Sequence, residues 1–281
     1  MTADGQKPNP MRNVVEGVAL PYGCDRSALP EPLGQRFVEL ACDQATVSFV
    51  RQALARPHGA LRMAGYRLLR TLVSDYDAYG VLGMYPMHLL SEAQFRTLLE
   101  GSIGGRLLDV GAGSGRVTAQ AAPLFDTVTV TETSRALTRS LRRRGYRLLE
   151  CDLGLQPLPA GERFDVMLCL NVLDRCLRPR SLLRHLGAGL EPGGRLLVSV
   201  PLPLRPHVHI GRHTVDPDEP LPAAAPSWEA GAVSVADEVL AAEGLEVLRL
   251  SRAPYLSWGD TERRLHQLDA ALFVCALRGA V

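Results

Sequence analysis

The run Leu107-Leu108-Asp109-Val110 passes directly into Gly111-Ala112-Gly113-Ser114-Gly115, and residues 117–122 are then spaced as a helix. An apolar strand, a glycine loop and a helix in immediate succession leave few folds open. The glycines carry no Cβ, so the loop can take left-handed dihedrals and bring its backbone close to a ligand. The following helix turns its unpaired N–H groups toward the same place. Glu132 stands about 20 residues on, at the end of the next apolar run, where a carboxylate can accept both hydroxyl hydrogens of a ribose. The alternation continues through the chain. Strands are predicted over 106–110, 127–131, 147–150, 164–170, 195–200, 245–250 and 268–277, with helices over 134–144, 180–190 and 233–242. Pro192-Gly193-Gly194 is a turn before the fifth strand. This pattern predicts an α/β fold with a mostly parallel, Rossmann-like sheet of seven strands.

Residues 1–34, punctuated by proline and glycine, read as a flexible tail. Residues 35–104 read as a helical addition that forms part of the substrate site, with helices over 35–56, 61–73 and 91–100. Ser91 and Gln94 fit a capping box. Residues 105–281 are the ligand-binding domain. Tyr76, Asp77, Tyr79, Tyr85 and Met87 either wall the substrate site or pack the helices on the sheet. His58 and His88, at breaks in the pattern, read as surface or helix-end residues.

Of 281 residues, 46% are hydrophobic, and 31 Lys and Arg stand against 30 Asp and Glu. That balance offers no bulk attraction for nucleic acid or a membrane surface, so neither partner is expected. No apolar run reaches 18 residues, which excludes a spanning helix, and the opening lacks a secretory apolar stretch. A cytoplasmic setting is expected. The six cysteines show no CxxC spacing, and no metal is expected at them. His207 and His209, with His213 nearby, lack an acidic or cysteine partner at metal-ligand spacing. They read as part of a proline-rich mobile loop over residues 201–226, although His-Val-His is also a His-x-His pattern. The arginines from 135 to 147 read as a solvated helix face.

A GxGxG loop alone serves nicotinamide, flavin and adenosylmethionine sites alike. Asp109, two residues ahead of it, and the close third glycine give a form that resembles the first motif of class I methyltransferases. That resemblance implies S-adenosyl-L-methionine as cofactor and S-adenosyl-L-homocysteine as product. Asp109, Gly111, Gly113 and Gly115 would hold the cofactor beside the amino-acid end, and Glu132 its ribose. Asp152, after the third strand, would accept from the adenine amino group, or else caps its own turn.

The fourth strand runs into Cys169-Leu170-Asn171-Val172-Leu173-Asp174-Arg175-Cys176, which resembles the CLNxLDRC segment of DREV-type protein histidine methyltransferases. Arg252-Ala253-Pro254-Tyr255-Leu256 with Gly259-Asp260, and Leu268-Asp269 with Ala271, Phe273 and Val274, resemble two further segments of that family. The likeness covers roughly residues 35–281. It implies methyl transfer to the N-pros ring nitrogen of a histidine in a His-x-His-containing peptide or protein. Asn171 would touch cofactor, Asp174 the acceptor ring, and Tyr255 the junction between the two. Where the family carries two adjacent tyrosines this chain has Leu265 and His266, so His266 would hold the acceptor in their place. From the residues alone, Asn171 and Asp174 also read as a cap or turn. A small-molecule N- or O-methyltransferase and a non-catalytic binding module stay open.

Overall fold

The computed structural model describes residues 13–69, 78, 82–210 and 213–279. Residues 1–12, Tyr76, Asp77 and Tyr79 lie outside them, as do the side chains of Arg135 and His209. The chain opens with a hairpin of β1 (Val14–Val15) and β2 (Val18–Ala19), turned by Glu16 and Gly17, both at positive φ. Short helical pieces follow at Arg26–Ala28 and Glu31–Gln35, then helices at Gln44–Ala55 and Ala60–Leu69. β3 (Met87–His88) precedes the helix Glu92–Leu98. The alternating part runs β4 (Arg106–Val110), β5 (Thr127–Thr131), β6 (Arg147–Leu149), β7 (Phe164–Leu170) and β8 (Leu190–Leu202). A hairpin of β9 (Val208–Ile210) and β10 (His213–Val215) leads to the helix Trp228–Ser234, β11 (Leu245–Trp258) and β12 (Leu265–Leu277).

Eight strands form one sheet in the order β3-β11-β12-β8-β7-β4-β5-β6. The five strands from β8 to β6 are parallel, whereas β12, β11 and β3 join antiparallel. The seven expected strands are all present. The eighth, β3, is a two-residue edge pairing against Leu256 and Ser257. This is the class I methyltransferase arrangement, mixed at one edge.

Each strand sends alternate residues to opposite faces, so the sheet needs two cores. Leu108, Met167, Cys169, Val198 and Phe273 meet the helices Pro179–Ala188 and Trp228–Ser234 on one face. Leu107, Val166, Leu168, Leu197 and Leu272 meet the helix Glu92–Leu98 on the other. No helix among the described residues is long and apolar enough to cross a membrane.

The structure corrects several expectations. Residues 13–34 do not form a flexible tail. Tyr22 is buried in one core and Leu29 and Leu33 in the other, and the Arg252 guanidinium donates to the Gly23 carbonyl at 2.9 Å. Proline and glycine here mark tight turns between pieces that borrow their core from the sheet. The expected helix over 35–56 begins only at Gln44, with Asp43 as its cap, because Val38 pairs its N–H with the Leu250 carbonyl instead. The Pro192-Gly193-Gly194 turn lies within β8 as an irregularity opposite Asp165, with Gly193 at φ +78. His58 and His88 are buried rather than at the surface. Part of the loop over 201–226 is the β9–β10 hairpin.

Candidate active site

The carboxyl ends of the parallel strands bring together the loop after β4, the acid after β5 and the segment after β7. Gly111, Gly113 and Gly115 all have positive φ, at 64, 55 and 72 degrees. The Gly113 N–H donates to Glu132 Oε2 at 2.8 Å, and the Ser134 N–H donates to Glu132 Oε1 at 2.8 Å. One carboxylate therefore ties the glycine loop to the N-terminus of the helix Arg135–Arg143. Ser134 caps that helix. A Cβ on Gly115 would stand 2.7 Å from Leu141 Cδ2, which makes this glycine the packing point between loop and helix.

Asp109 is buried beneath the loop. Thr118 Oγ1 donates to its Oδ2 at 2.5 Å. Burial pushes its carboxyl up to about 7, helped by the nearby Glu132 charge and opposed by the Thr118 bond. A cationic group arriving above the loop would find here a carboxyl that its own charge ionises.

β7 lies between β4 and β8, so its exit faces the glycine loop. Asn171 takes up a left-handed φ of 55 degrees, a conformation that asparagine tolerates better than most residues. Ser199 on β8 holds it there. The Asn171 N–H donates to Ser199 Oγ and to the Ser199 carbonyl, each at 3.0 Å, and Ser199 Oγ pairs with Asn171 Oδ1 at 3.1 Å. The turn aims Val172 at the loop, 3.1 Å from where a Gly111 Cβ would lie. Asp174 follows in the short helix Leu173–Arg175 and is 1% exposed. Its Oδ1 is buried with no hydrogen-bond partner. Burial raises its pKa, opposed by the charges of Arg175 and His207. A lone carboxylate oxygen left without a donor is costly, and such atoms mark places where a partner belongs.

Tyr255 reaches the same region from β11. Its hydroxyl lies 2.5 Å from Met87 Sδ, and Met87 Cε lies 3.8 Å from where a Gly113 Cβ would be. Met87 thus links Tyr255 to the glycine loop. Nothing but its place before the domain marked it in the sequence.

Asp152 is exposed, and its Oδ1 accepts from the Gly154 N–H at 2.9 Å, so it caps its own turn. Gly154 packs that turn against Cys176, with a Cβ position 2.9 Å from Cys176 Sγ. His266 belongs to an aromatic group at the β11–β12 turn. Its ring lies 6.2 Å from that of Tyr85, and Tyr85 packs on His58 at 5.3 Å. Burial lowers the His266 pKa, as does Arg263, while Asp260 opposes. The Tyr85 N–H donates to His58 Nε2 at 3.0 Å. Ser199, Thr118, Met87 and the His58–Tyr85 pair are the participants that sequence reasoning missed or left undecided. All are placed by contacts between distant segments. Among the described residues no group of three or more His, Cys, Asp or Glu could hold a metal ion, and all six cysteines are free thiols.

Among solved structures, the chain resembles N-methyltransferase NodS from Bradyrhizobium japonicum WM9 bound to S-adenosyl-L-homocysteine. The identity is 18%, covering 66% of this chain and 85% of that one, with a TM-score of 0.45. It also resembles an S-adenosylmethionine-dependent methyltransferase from Clostridium acetobutylicum, at 14% identity, 78% and 98% coverage and a TM-score of 0.46. Among curated proteins, the ubiquinone biosynthesis O-methyltransferase of Aeromonas salmonicida is 22% identical over 143 residues, 41% of this chain and 52% of that protein. The enzyme of the same name from Xanthomonas oryzae pv. oryzae is 30% identical over 102 residues, 34% and 43%. The chain spans about half the length of the curated relatives it matches. The sequence model of DREV methyltransferase matches residues 21–277, which takes in the glycine loop, the segment after β7 and all of β11 and β12. On that match the chain belongs to the DREV methyltransferase family.

Proposed function

We propose that this methyltransferase moves the methyl group of S-adenosyl-L-methionine to the N-pros ring nitrogen of a histidine in a His-x-His-containing peptide or protein. The observation that carries the reading is the buried Asp174 carboxylate, whose Oδ1 lacks a donor at the lip of β7.

The residues on the cofactor side fit the donor. Gly111 and Gly113 leave the loop free of side chains, the Glu132 carboxylate suits ribose hydroxyls, and Asp109 offers a buried acid to an ammonium group. When bound, the donor supplies an electrophilic methyl group on a sulfonium. Asn171, held by Ser199, keeps the acceptor segment pressed on the loop through Val172. Asp152 spends only Oδ1 on its turn, so its Oδ2 would be left to accept from an adenine amino group.

On the acceptor side the physical requirement is one tautomer. A neutral imidazole has one N–H and one lone pair, and its ordinary pKa of about 6.5 keeps much of it neutral near pH 7. Asp174 Oδ1 accepting the N-tele hydrogen would leave N-pros with the lone pair. The same carboxylate would offset the positive charge that grows on the ring. Tyr255, linked to the loop through Met87, would border both ligands. His266 and its aromatic neighbours, with the rest of residues 35–104, would grip the peptide farther out.

The test is transfer of labelled methyl from S-adenosyl-L-methionine to peptides carrying Ala-His-Ala-His. We expect label on a ring nitrogen, loss of label when the histidines become alanine, and a drop in kcat of about 100-fold or more in Asp174→Asn. Label on small phenols but on no peptide would instead favour the O-methylation named for the curated relatives. No turnover despite good cofactor binding would point to a binding module.

A further inference from the structure

Beside the glycine loop stands a cluster of arginines that methyl transfer does not use. Arg116 directly follows Gly115, and Arg144 comes back to the same glycine from the end of the helix Arg135–Arg143. A Cβ on Gly115 would lie 3.3 Å from Arg144 Cδ and 3.4 Å from Tyr146 Cε2, so the Arg144 stem and the Tyr146 ring border the loop together. Partial burial lowers the Arg116 pKa, and the nearby Arg144 charge lowers it further. Arg139 and Arg143, one helical turn apart, continue the cluster along the helix. All four arginines are exposed.

The acids of the neighbourhood are spent elsewhere. Arg142 is paired with Glu150, and Arg147 with Glu162. Arg116, Arg139, Arg143 and Arg144 make no ion pair among the described residues. Cations at a helix C-terminus meet its negative dipole end, which explains Arg142 and Arg143. It explains neither Arg139 in the middle of the helix nor Arg116 on another element. Like charges at these spacings repel, and an anion laid between them removes the repulsion.

We propose that Arg116, Arg139, Arg143 and Arg144 form a docking surface for a carboxylate-rich segment of the protein that this enzyme methylates. The proposal rests on the reading that the acceptor is a protein, and on no particular acceptor side chain. The planar fork of a guanidinium matches a carboxylate in two hydrogen bonds. A nucleic acid strand suits the surface less well. Its affinity grows with the number of phosphates neutralised along a track, and here Glu150 and Glu162 interrupt the track. Held beside the cofactor loop, the acidic segment raises the local concentration of the acceptor that is joined to it. It also speeds encounter at low salt.

The experiment reads binding without methyl transfer. Fluorescence anisotropy follows a fluorescein-labelled Glu-rich peptide, its Gln-for-Glu version and an oligouridylate of equal charge on the full chain with S-adenosyl-L-homocysteine. The Glu-rich peptide should bind best. Its Kd should rise about five- to ten-fold in the double variant Arg116→Gln with Arg144→Gln. Arg184→Gln, in an arginine already paired with Glu219 and Glu243, should leave that Kd alone. S-adenosyl-L-homocysteine should bind parent and double variant equally, which shows the loop intact. Equal binding of the neutral peptide, an unchanged Kd in the double variant, or tighter binding of the oligouridylate overturns the proposal. So does a loss of S-adenosyl-L-homocysteine affinity, which would assign these arginines to the cofactor. In a second arm, a Glu-rich block joined to Ala-His-Ala-His should lower the peptide KM in the parent but not in the double variant, with kcat unchanged. If no peptide is labelled, the histidine-methylating reading falls, and the binding arm still decides the docking surface.

Discussion

Gly113 and Gly115 show how one motif mixes two demands. Both have positive φ, which costs an alanine about 1–2 kcal/mol. A Cβ at Gly113 meets only Met87 Cε at 3.8 Å, whereas at Gly115 it would lie 2.7 Å from Leu141 Cδ2 and 3.3 Å from Arg144 Cδ. Gly115→Ala should therefore destabilise by about 2–3 kcal/mol, and Gly113→Ala by about 1. The order should reverse for S-adenosyl-L-homocysteine affinity, because strain at Gly113 would displace the backbone N–H that orients the Glu132 carboxylate toward the ribose. Urea melts and titration calorimetry on the two variants check both orders. A larger stability loss at Gly113 would show that the loop, not the helix contact, limits the site. The glycines were readable because their spacing is local. Asp174 was readable through the segment around it. Ser199 was not, since a hydroxyl on β8 acquires its role only when the chain returns to β7. His58 and His88 were misread for the same reason: breaks in a local pattern say nothing about which distant side chains close over them.

At the level of elements, apolar runs bounded by glycine or polar turns gave β4, β5 and β7 their observed limits. β11 extends well past the expected 245–250, through Pro254 to Trp258, because β12 pairs with it throughout. In its outer part Ser251, Ala253, Pro254 and Leu256 are buried, but serine, proline and the intervening Arg252 break any apolar run. β3, two residues long, exists only through its pairing with Leu256 and Ser257. The helices before the domain depend on one acid in much the same way. Asp43 caps the helix Gln44–Ala55, its Oδ1 accepting the Thr46 N–H and the Thr46 hydroxyl, each at 2.9 Å. Its Oδ2 accepts the hydroxyl of Ser91, the cap of the helix Glu92–Leu98. Asp43→Ala should then cost about 2–3 kcal/mol, more than an ordinary cap, because a second helix start loses its brace. Asp43→Asn should recover about half. Paired urea melts measure this, and a loss under about 1 kcal/mol in the alanine variant would show that the two helix starts are independent.

For the molecule as a whole, the two cores hold buried titrating groups with opposite pH responses. Asp109 is pushed up by burial to about 7, so the folded state keeps a proton that the unfolded chain releases near pH 4. Its contribution is present below that pH and is lost as pH rises toward 7. His88 is pushed down by burial to about 4, with Asp43 opposing. Thr46 Oγ1 gives its hydrogen to Asp43, so His88 Nε2 donates to Thr46 at 3.1 Å and the ring is held neutral against Phe49. The unfolded chain protonates this histidine near pH 6.5, so its contribution is complete above that pH and is lost as pH falls toward 4. Between about pH 4.5 and 6.5 the two slopes are each about 1.4 kcal/mol per pH unit and opposite in sign. They should largely cancel in the parent. Asp109→Asn keeps the shape of the side chain and removes one of them, so its stability should climb relative to the parent by about 3 kcal/mol across that window. His88→Asn should fall relative to the parent over the same range. Taking each variant as a difference from the parent removes the surface carboxylates common to all three. Urea melts at half-unit pH steps without added cofactor read the result directly. Parallel curves for parent and Asp109→Asn would mean that the acid beneath the glycine loop is already charged when the loop stands empty.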